Sequence, residues 1–196
     1  MGNILGTYSG MLIESLGQTM LLTLLSLIFA FIIGLIFGLM NVSKSKVLNL
    51  IGTIYVDAIR GVPLLVLAYF IYFGVPAGIR ASISPDFRLS ALQAGTIALS
   101  MNAGAYMAEI FRAGILAVDA GQTEAARSLG LSSAAAMFKV VLPQAVKNVL
   151  PALANEVITM VKESSICSML GMMELMWAAK TVAATTYITI GPYVVA

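Results

Sequence analysis

Histidine is absent from the 196 residues, and there is a single cysteine, Cys167. Without histidine the commonest general base near neutral pH and the commonest metal ligand are both missing. One thiol forms no internal disulfide, and no Cys/His cluster offers a metal site. Charge is scarce as well. Asp, Glu, Lys and Arg make up 10% of the chain, against about 25% in an ordinary soluble domain. So few charges do not cover a water-facing surface. The net charge of +2 is too slight to argue for nucleic acid. Residues 1–19 hold no Lys or Arg, so the basic start of a cleavable signal is missing. No Gly-x-x-x-x-Gly-Lys-Ser/Thr loop occurs, which excludes ATP binding in the Walker manner.

What fills the chain instead is apolar. Hydrophobic residues account for 60%, and the mean hydropathy is +0.97. Residues 20–40, 61–79 and 89–108 are uninterrupted by charge. Each is close to the roughly 20 residues a helix needs to cross about 30 Å of hydrocarbon. A fourth run, 149–161, is broken by Glu156 and resumes over 166–173. Long apolar runs without strict alternation favour helices over a membrane barrel. The expected fold is an all-α, polytopic transmembrane bundle with about four complete spans and the start of a fifth. The fourth span is expected from about Pro143 to Met173, with a kink at Pro151. The tail from Thr181 to Ala196 begins polar and turns apolar, as the opening of another span that stops in mid-run. The whole chain, 1–196, reads as one membrane domain.

Basic residues orient it. Lys44, Lys46 and Arg60 mark 41–60, and Arg112, Arg127, Lys139 and Lys147 mark 109–148. The positive-inside rule places both in the cytoplasm and the N-terminus outside. The connection 80–88, with Arg80 and Arg88 offset by Asp86, then faces out. The 109–148 stretch is too polar to span and too rich in Ala and Leu to be disordered. Its centre, about 119–143, reads as two short helices joined at a glycine. Thr123 is expected to cap the first, with Glu124 at its positive end. Gly130 closes it in the left-handed conformation. Ser132 or Ser133 caps the second, which Pro143 delimits. Leu129, Leu131, Ala134, Ala135 and Phe138 supply an apolar face, so the pair forms a knob suited to a groove on a cytosolic partner.

Glu124-Ala125-Ala126, three residues, Gly130, eleven more and then Leu142-Pro143 resembles the coupling motif of importer permeases of the ATP-binding-cassette class. Ala108-Glu-Ile-Phe-Arg-Ala-Gly-Ile115, Gly121-Gln122, Arg60-Gly-Val-Pro-Leu-Leu65 and Val161-Lys-Glu-Ser-Ser165 narrow the resemblance to polar amino-acid permeases. It covers roughly residues 15–185. The resemblance implies that Glu124, Ala125, Ala126, Gly130, Leu142 and Pro143 dock into a cleft of an ATPase subunit. It also implies the partners: two such ATPases carrying ATP and Mg, a second permease copy or close relative, and an extracytoplasmic amino-acid-binding protein. The setting is the bacterial cytoplasmic (inner) membrane, and this chain itself is non-catalytic. Permeases of this family continue through a last helix and a short basic tail, which here is cut or absent after Ala196.

Charge retained inside a span usually faces the bundle interior or water, because exposing it to hydrocarbon costs at least ~2.5–3.5 kcal/mol. Glu156, Thr159 and Glu163 recur at helical spacing and share one face. On the third span Ser100, Asn102 and Tyr106 are the polar positions, the last two one turn apart. Together these six are the candidate substrate contacts. Paired carboxylates with an amide suit a cationic side chain, a guanidinium best of all, so a basic amino acid such as arginine is the expected cargo. Glu163 has an equal alternative as the partner of Lys162 or Arg112, and Glu109 is expected to pair with Arg112 three residues on. Gly34-Leu-Ile-Phe-Gly38 suits close helix contact. Cys167 reads as a packed thiol. Met169, Met172, Met173 and Met176 read as adaptable packing beside an interfacial Trp177. The main rival is a proton-coupled secondary carrier titrating Glu156 or Glu163, which leaves the knob without a purpose. A membrane enzyme lacks any nucleophile–base pair, and a purely structural subunit leaves the polar face unexplained.

Overall fold

The computed structural model describes residues 2–188 and 190–195, and among them every regular element is helical. Helix α1 runs without a break over Gly2–Asn41. At 1.5 Å per residue it is roughly 60 Å long, about twice the hydrocarbon thickness. Most of its inward residues are small or hydroxylated: Ser15, Thr19, Thr23, Ser26 and Ala30 are buried along with Leu12 and Leu22, whereas Ile13, Leu24, Ile28 and Phe29 are exposed. This inverts the soluble pattern, as a lipid-facing helix should. The hydroxyls are tied to the helix itself: Thr19 donates to the Ser15 carbonyl at 3.0 Å and Thr23 to that of Thr19 at 2.8 Å.

Helix α2 covers Lys46–Arg60. Pro63 stops helix from running backward through it, and α3 begins after it at Leu64–Tyr69. A π-helical turn, Phe70–Gly74, leads into α4, Val75–Ser82. The second expected span therefore begins three residues later than Gly61 and extends past Ile79. Arg80 lies in the last turn of α4 rather than in the connection, where a cation suits the helix dipole. Helix α5 spans Ala91–Leu116, well beyond the expected end at residue 108. Then follow α6, Ala120–Ser128, α7, Ser133–Ala136, a π turn over Met137–Val141, and α8, Leu142–Glu163. In both π turns a proline follows two residues after the end, Pro76 and Pro143. Lacking an N–H and crowding the preceding turn, proline favours a widened turn upstream. That is why Pro143 does not delimit α7 as expected: the widened turn absorbs it and the helix goes on.

Past α8 the chain tightens into a 3₁₀ segment, Ser164–Leu170, and turns at Gly171 with φ +81°. Helix α9, Leu175–Thr186, follows, and a short α10, Gly191–Val195. Pro151 sits inside an unbroken α8. The bend, 55°, lies instead between Ser133–Leu170 and Leu175–Thr186, where the left-handed glycine releases the helix. The expected new span from Thr181 does not start there either. Residues 181–186 complete α9, which ends at Tyr187 with φ +57°. Thr189 and Ala196 in that tail lie outside the described residues.

Among the described residues, two helices suffice by length and composition to cross a membrane, Gly6–Asn41 and Leu64–Ser82, and a third if the bent pair counts as one. Helix α5 is long enough but rich in Ala, Gly and polar residues. These suit an interior position, and Ala94, Ala98, Ala103, Ala105 and Ala108 are fully buried.

Contacts divide the chain into two compact units. One comprises the chain up to Ile28, Val62–Ser100 and the chain from Thr159; the other comprises Phe29–Gly61 and Met101–Ile158. The first is centred on Leu22, Leu99, Cys167 and Met172. Cys167 is the packed thiol expected of it, and a Cβ added at Gly95 would come within 2.8 Å of its sulfur. In the second, Gly34 and Gly38 lie against α5: added Cβ atoms would sit 2.6 Å from Met107 Cβ and 3.0 Å from the Ala108 carbonyl. The expectation for this glycine pair holds. Phe37 stacks on Tyr55 at 3.9 Å, and Tyr55 donates to the Met101 carbonyl at 2.9 Å.

Candidate functional site: a docking knob and an acidic helix face

The knob is built from its caps. Asp119, not Thr123, caps α6, its carboxylate accepting from the Gly121 N–H at 2.7 Å. An aspartate one residue ahead of the helix competes better than a threonine already inside it. Gly130 adopts φ +87°, and the Leu131 N–H reaches back to the Ala126 carbonyl at 3.2 Å. Ser132 is the second cap, accepting from the Ala135 N–H at 3.2 Å. Ala126 and Ala136 are buried as α6 packs on the π turn. Arg127, read from sequence only as a topology marker, ties the two helices by donating to Ser133 Oγ at 3.0 Å.

Several residues of the knob remain exposed. Glu124 and Ala125 are exposed, and the Glu124 side chain has no partner among the described residues. Leu129 is 86% exposed and Phe138 68%. These are large apolar side chains at the tip of a small rigid element, the composition of an interface anchor. Leu142 and Pro143 are exposed at the start of α8.

The six candidate substrate contacts divide between the units. Ser100, Thr159 and Glu163 belong to the first, Asn102, Tyr106 and Glu156 to the second. Glu156, Thr159 and Glu163 do ride one uninterrupted helix, so their shared face is real. Glu156 is 8% exposed, a depth at which an acid needs a partner, and it has one. Thr159 and Glu163 are half-buried. Ser100 is buried and its hydroxyl is engaged, with the carbonyls of Thr96 and, at 3.2 Å, Ser26 in reach. Asn102 is buried and partnered. Tyr106 is half-open, with the Arg60 guanidinium over its ring at 5.1 Å.

Glu109 and Arg112 pair as expected, through two parallel hydrogen bonds, one of 3.0 Å. Just past the apolar 89–108 stretch, that pairing holds the Glu109 carboxyl below its usual range, with Arg60 adding to the effect. Glu174 was missed. It is 1% exposed and caps α9, accepting from the Met176 and Trp177 N–H groups at 2.9 and 2.7 Å. The sequence signal was an acid just ahead of an apolar helical run, weak because glutamate is an uncommon cap. Met169 and Met173 are exposed and Met172 buried, and Trp177 with Met173, Met11 and Glu14 lines a cavity of 460 Å³.

Comparison with known proteins identifies the family. The model of the binding-protein-dependent transport system inner membrane component family matches residues 30–196. A Rickettsia conorii protein assigned to glutamine transport, GlnP, is 40% identical over 94% of this chain and 82% of its own length. The arginine transport system permease protein ArtQ of Bacillus subtilis is 36% identical over the same shares. Among solved structures, an amino acid ABC transporter crystallised with histidines superposes with a TM-score of 0.87 at 42% identity, covering 97% of this chain and 86% of that one. The MetNI methionine transporter, at 22% identity and a TM-score of 0.78 over 96% and 87% of the two chains, shares the fold. The chain therefore belongs to the binding-protein-dependent transport system inner membrane component family, as an ABC-importer permease of the amino-acid type.

Proposed function

We propose that this subunit forms the pathway of an importer for basic amino acids, arginine first, and converts ATP-driven motion of a partner into alternating access. One observation supports the reading above the others: the helical run that carries the Glu156–Thr159–Glu163 face also holds the second half of the knob, from Ser133. A push on the knob, where Leu129, Phe138 and Glu124 are exposed, would enter α8 at Leu142. Two ATPase subunits with ATP and Mg, a second permease copy and an extracytoplasmic binding protein complete the machine, with the N-terminus outside. The proton-driven alternative has nothing for the knob to do.

Ser100, Asn102, Tyr106, Glu156, Thr159 and Glu163 remain the proposed substrate contacts, with the acids receiving the cationic side chain. A second reading has its own support, since the relatives assigned to glutamine outnumber the arginine permease among close matches. Glutamine would use Asn102 and Thr159 as neutral hydrogen-bonding partners and need no carboxylate. Glu156→Gln separates the two in proteoliposomes. For an arginine carrier it weakens arginine uptake by roughly tenfold or more, the loss of one charge-assisted bond, and spares glutamine. Equal effects on both cargoes would assign Glu156 to the bundle instead.

A further inference from the structure

A polar cavity lies within the unit that holds α2. It measures 370 Å³, and its lining includes Asn49, Thr53, Asp57, Arg60, Glu109 and Arg112. That volume falls within the range of small-molecule sites, roughly 300–1,000 Å³. Its charges sum to zero, two carboxylates against two guanidinium groups, but they are satisfied unequally. Glu109 and Arg112 neutralise each other. Asp57 and Arg60 do not, although three residues apart on one helix they are placed to pair. Neither side chain has a hydrogen bond or an ion pair among the described residues. Arg60 is held aside over the Tyr106 ring.

The cavity thus presents one guanidinium and one carboxylate, Arg60 and Asp57, that make no hydrogen bond among the described residues. A lone anion or lone cation would leave one of the charges unanswered. A molecule bearing both answers them together: a carboxylate for Arg60 and an ammonium for Asp57. Glu109, already bonded to Arg112, contributes no free acceptor. We propose that this cavity is a second amino-acid site, one that recognises the zwitterionic α-ammonium/α-carboxylate head and is indifferent to the side chain. The basic residues of the 41–60 segment put it on the cytoplasmic side, where it would meet amino acid leaving the pathway or already in the cytosol.

Glycine, the head group without a side chain, is the probe. Radiolabelled glycine is titrated onto the purified full chain in phospholipid nanodiscs, with acetate, methylammonium and N-acetylglycine as competitors. Saturable binding is expected, weakened roughly tenfold or more by either Asp57→Asn or Arg60→Gln, as for the loss of a charge-assisted contact. The three competitors, each carrying half the head group, should not displace glycine at equal concentration. Asp57 is exposed and unpaired, so Asp57→Asn keeps the test decisive even where Arg60→Gln fails to fold. Absence of saturable binding overturns the inference. So does parental affinity in Asp57→Asn, or displacement by acetate as effective as by glycine itself. Glycine binding that survives Asp57→Asn but disappears in Glu156→Gln belongs to the α8 face and overturns it as well. The arginine preference proposed above is read from uptake and Glu156, so either idea can fail alone.

Discussion

Replacing Gly130 by valine isolates the shape of the knob from everything else in the molecule. A Cβ built at Gly130 meets nothing within 4 Å, yet its φ is +87°. The substitution therefore creates no clash, and its whole cost is the backbone. A left-handed conformation costs an ordinary L-residue roughly 1–2 kcal/mol, and a β-branched one resists it further. An energy of that size changes a population ratio by a factor of about 5–30. The chain after α6 would leave the left-handed turn, lose the Leu131-to-Ala126 bond, and re-aim Leu129 and α7. The disturbance is confined to the knob and its own packing at Ala126 and Ala136. The assay is a reconstituted complex with its ATPase, scoring transported amino acid per ATP hydrolysed. The variant should insert and purify as the parent does, with transport per ATP falling at least several-fold. Gly130→Asn, which tolerates the left-handed region better, should fall between. Parental transport by the valine variant would refute docking through this turn.

Other outcomes follow from the same coordinates. Gly34→Val should lower thermal stability in detergent by an amount typical of overpacking, about 1–3 kcal/mol, because its Cβ lands 2.6 Å from Met107 Cβ; Gly17→Val, with nothing within 4 Å, should change it far less. Asp119→Ala removes the cap of α6 and should cost about 1 kcal/mol locally, visible as faster amide exchange over 121–123 with the transmembrane helices unaffected. In a Cys167→Ser background, a cysteine at Ser84 should react with an impermeant thiol reagent from outside intact cells and one at Ser132 should not; the reverse labelling would invert the topology.

Much of this protein was legible in residue order. Scarce charge and long apolar runs make a helical membrane bundle unavoidable, because a backbone in lipid has to satisfy its own hydrogen bonds. The knob was equally readable, since caps and a left-handed glycine act over a few residues: Gly130 and Ser132 behave as their types demand. So was the Glu109–Arg112 pair, one helical turn apart. Where local rules competed, the winner depended on more than spacing. Asp119 outranked Thr123 as cap, and π turns absorbed Pro76 and Pro143, so α8 runs on where a stop was expected. Tertiary structure alone decided the rest. That Arg60 lies over Tyr106 instead of beside Asp57, that Glu174 is buried beneath α9, and that the bend falls at Gly171 rather than Pro151 all depend on which helices meet. Helix periodicity assigns a residue to a face, but only packing determines what that face touches.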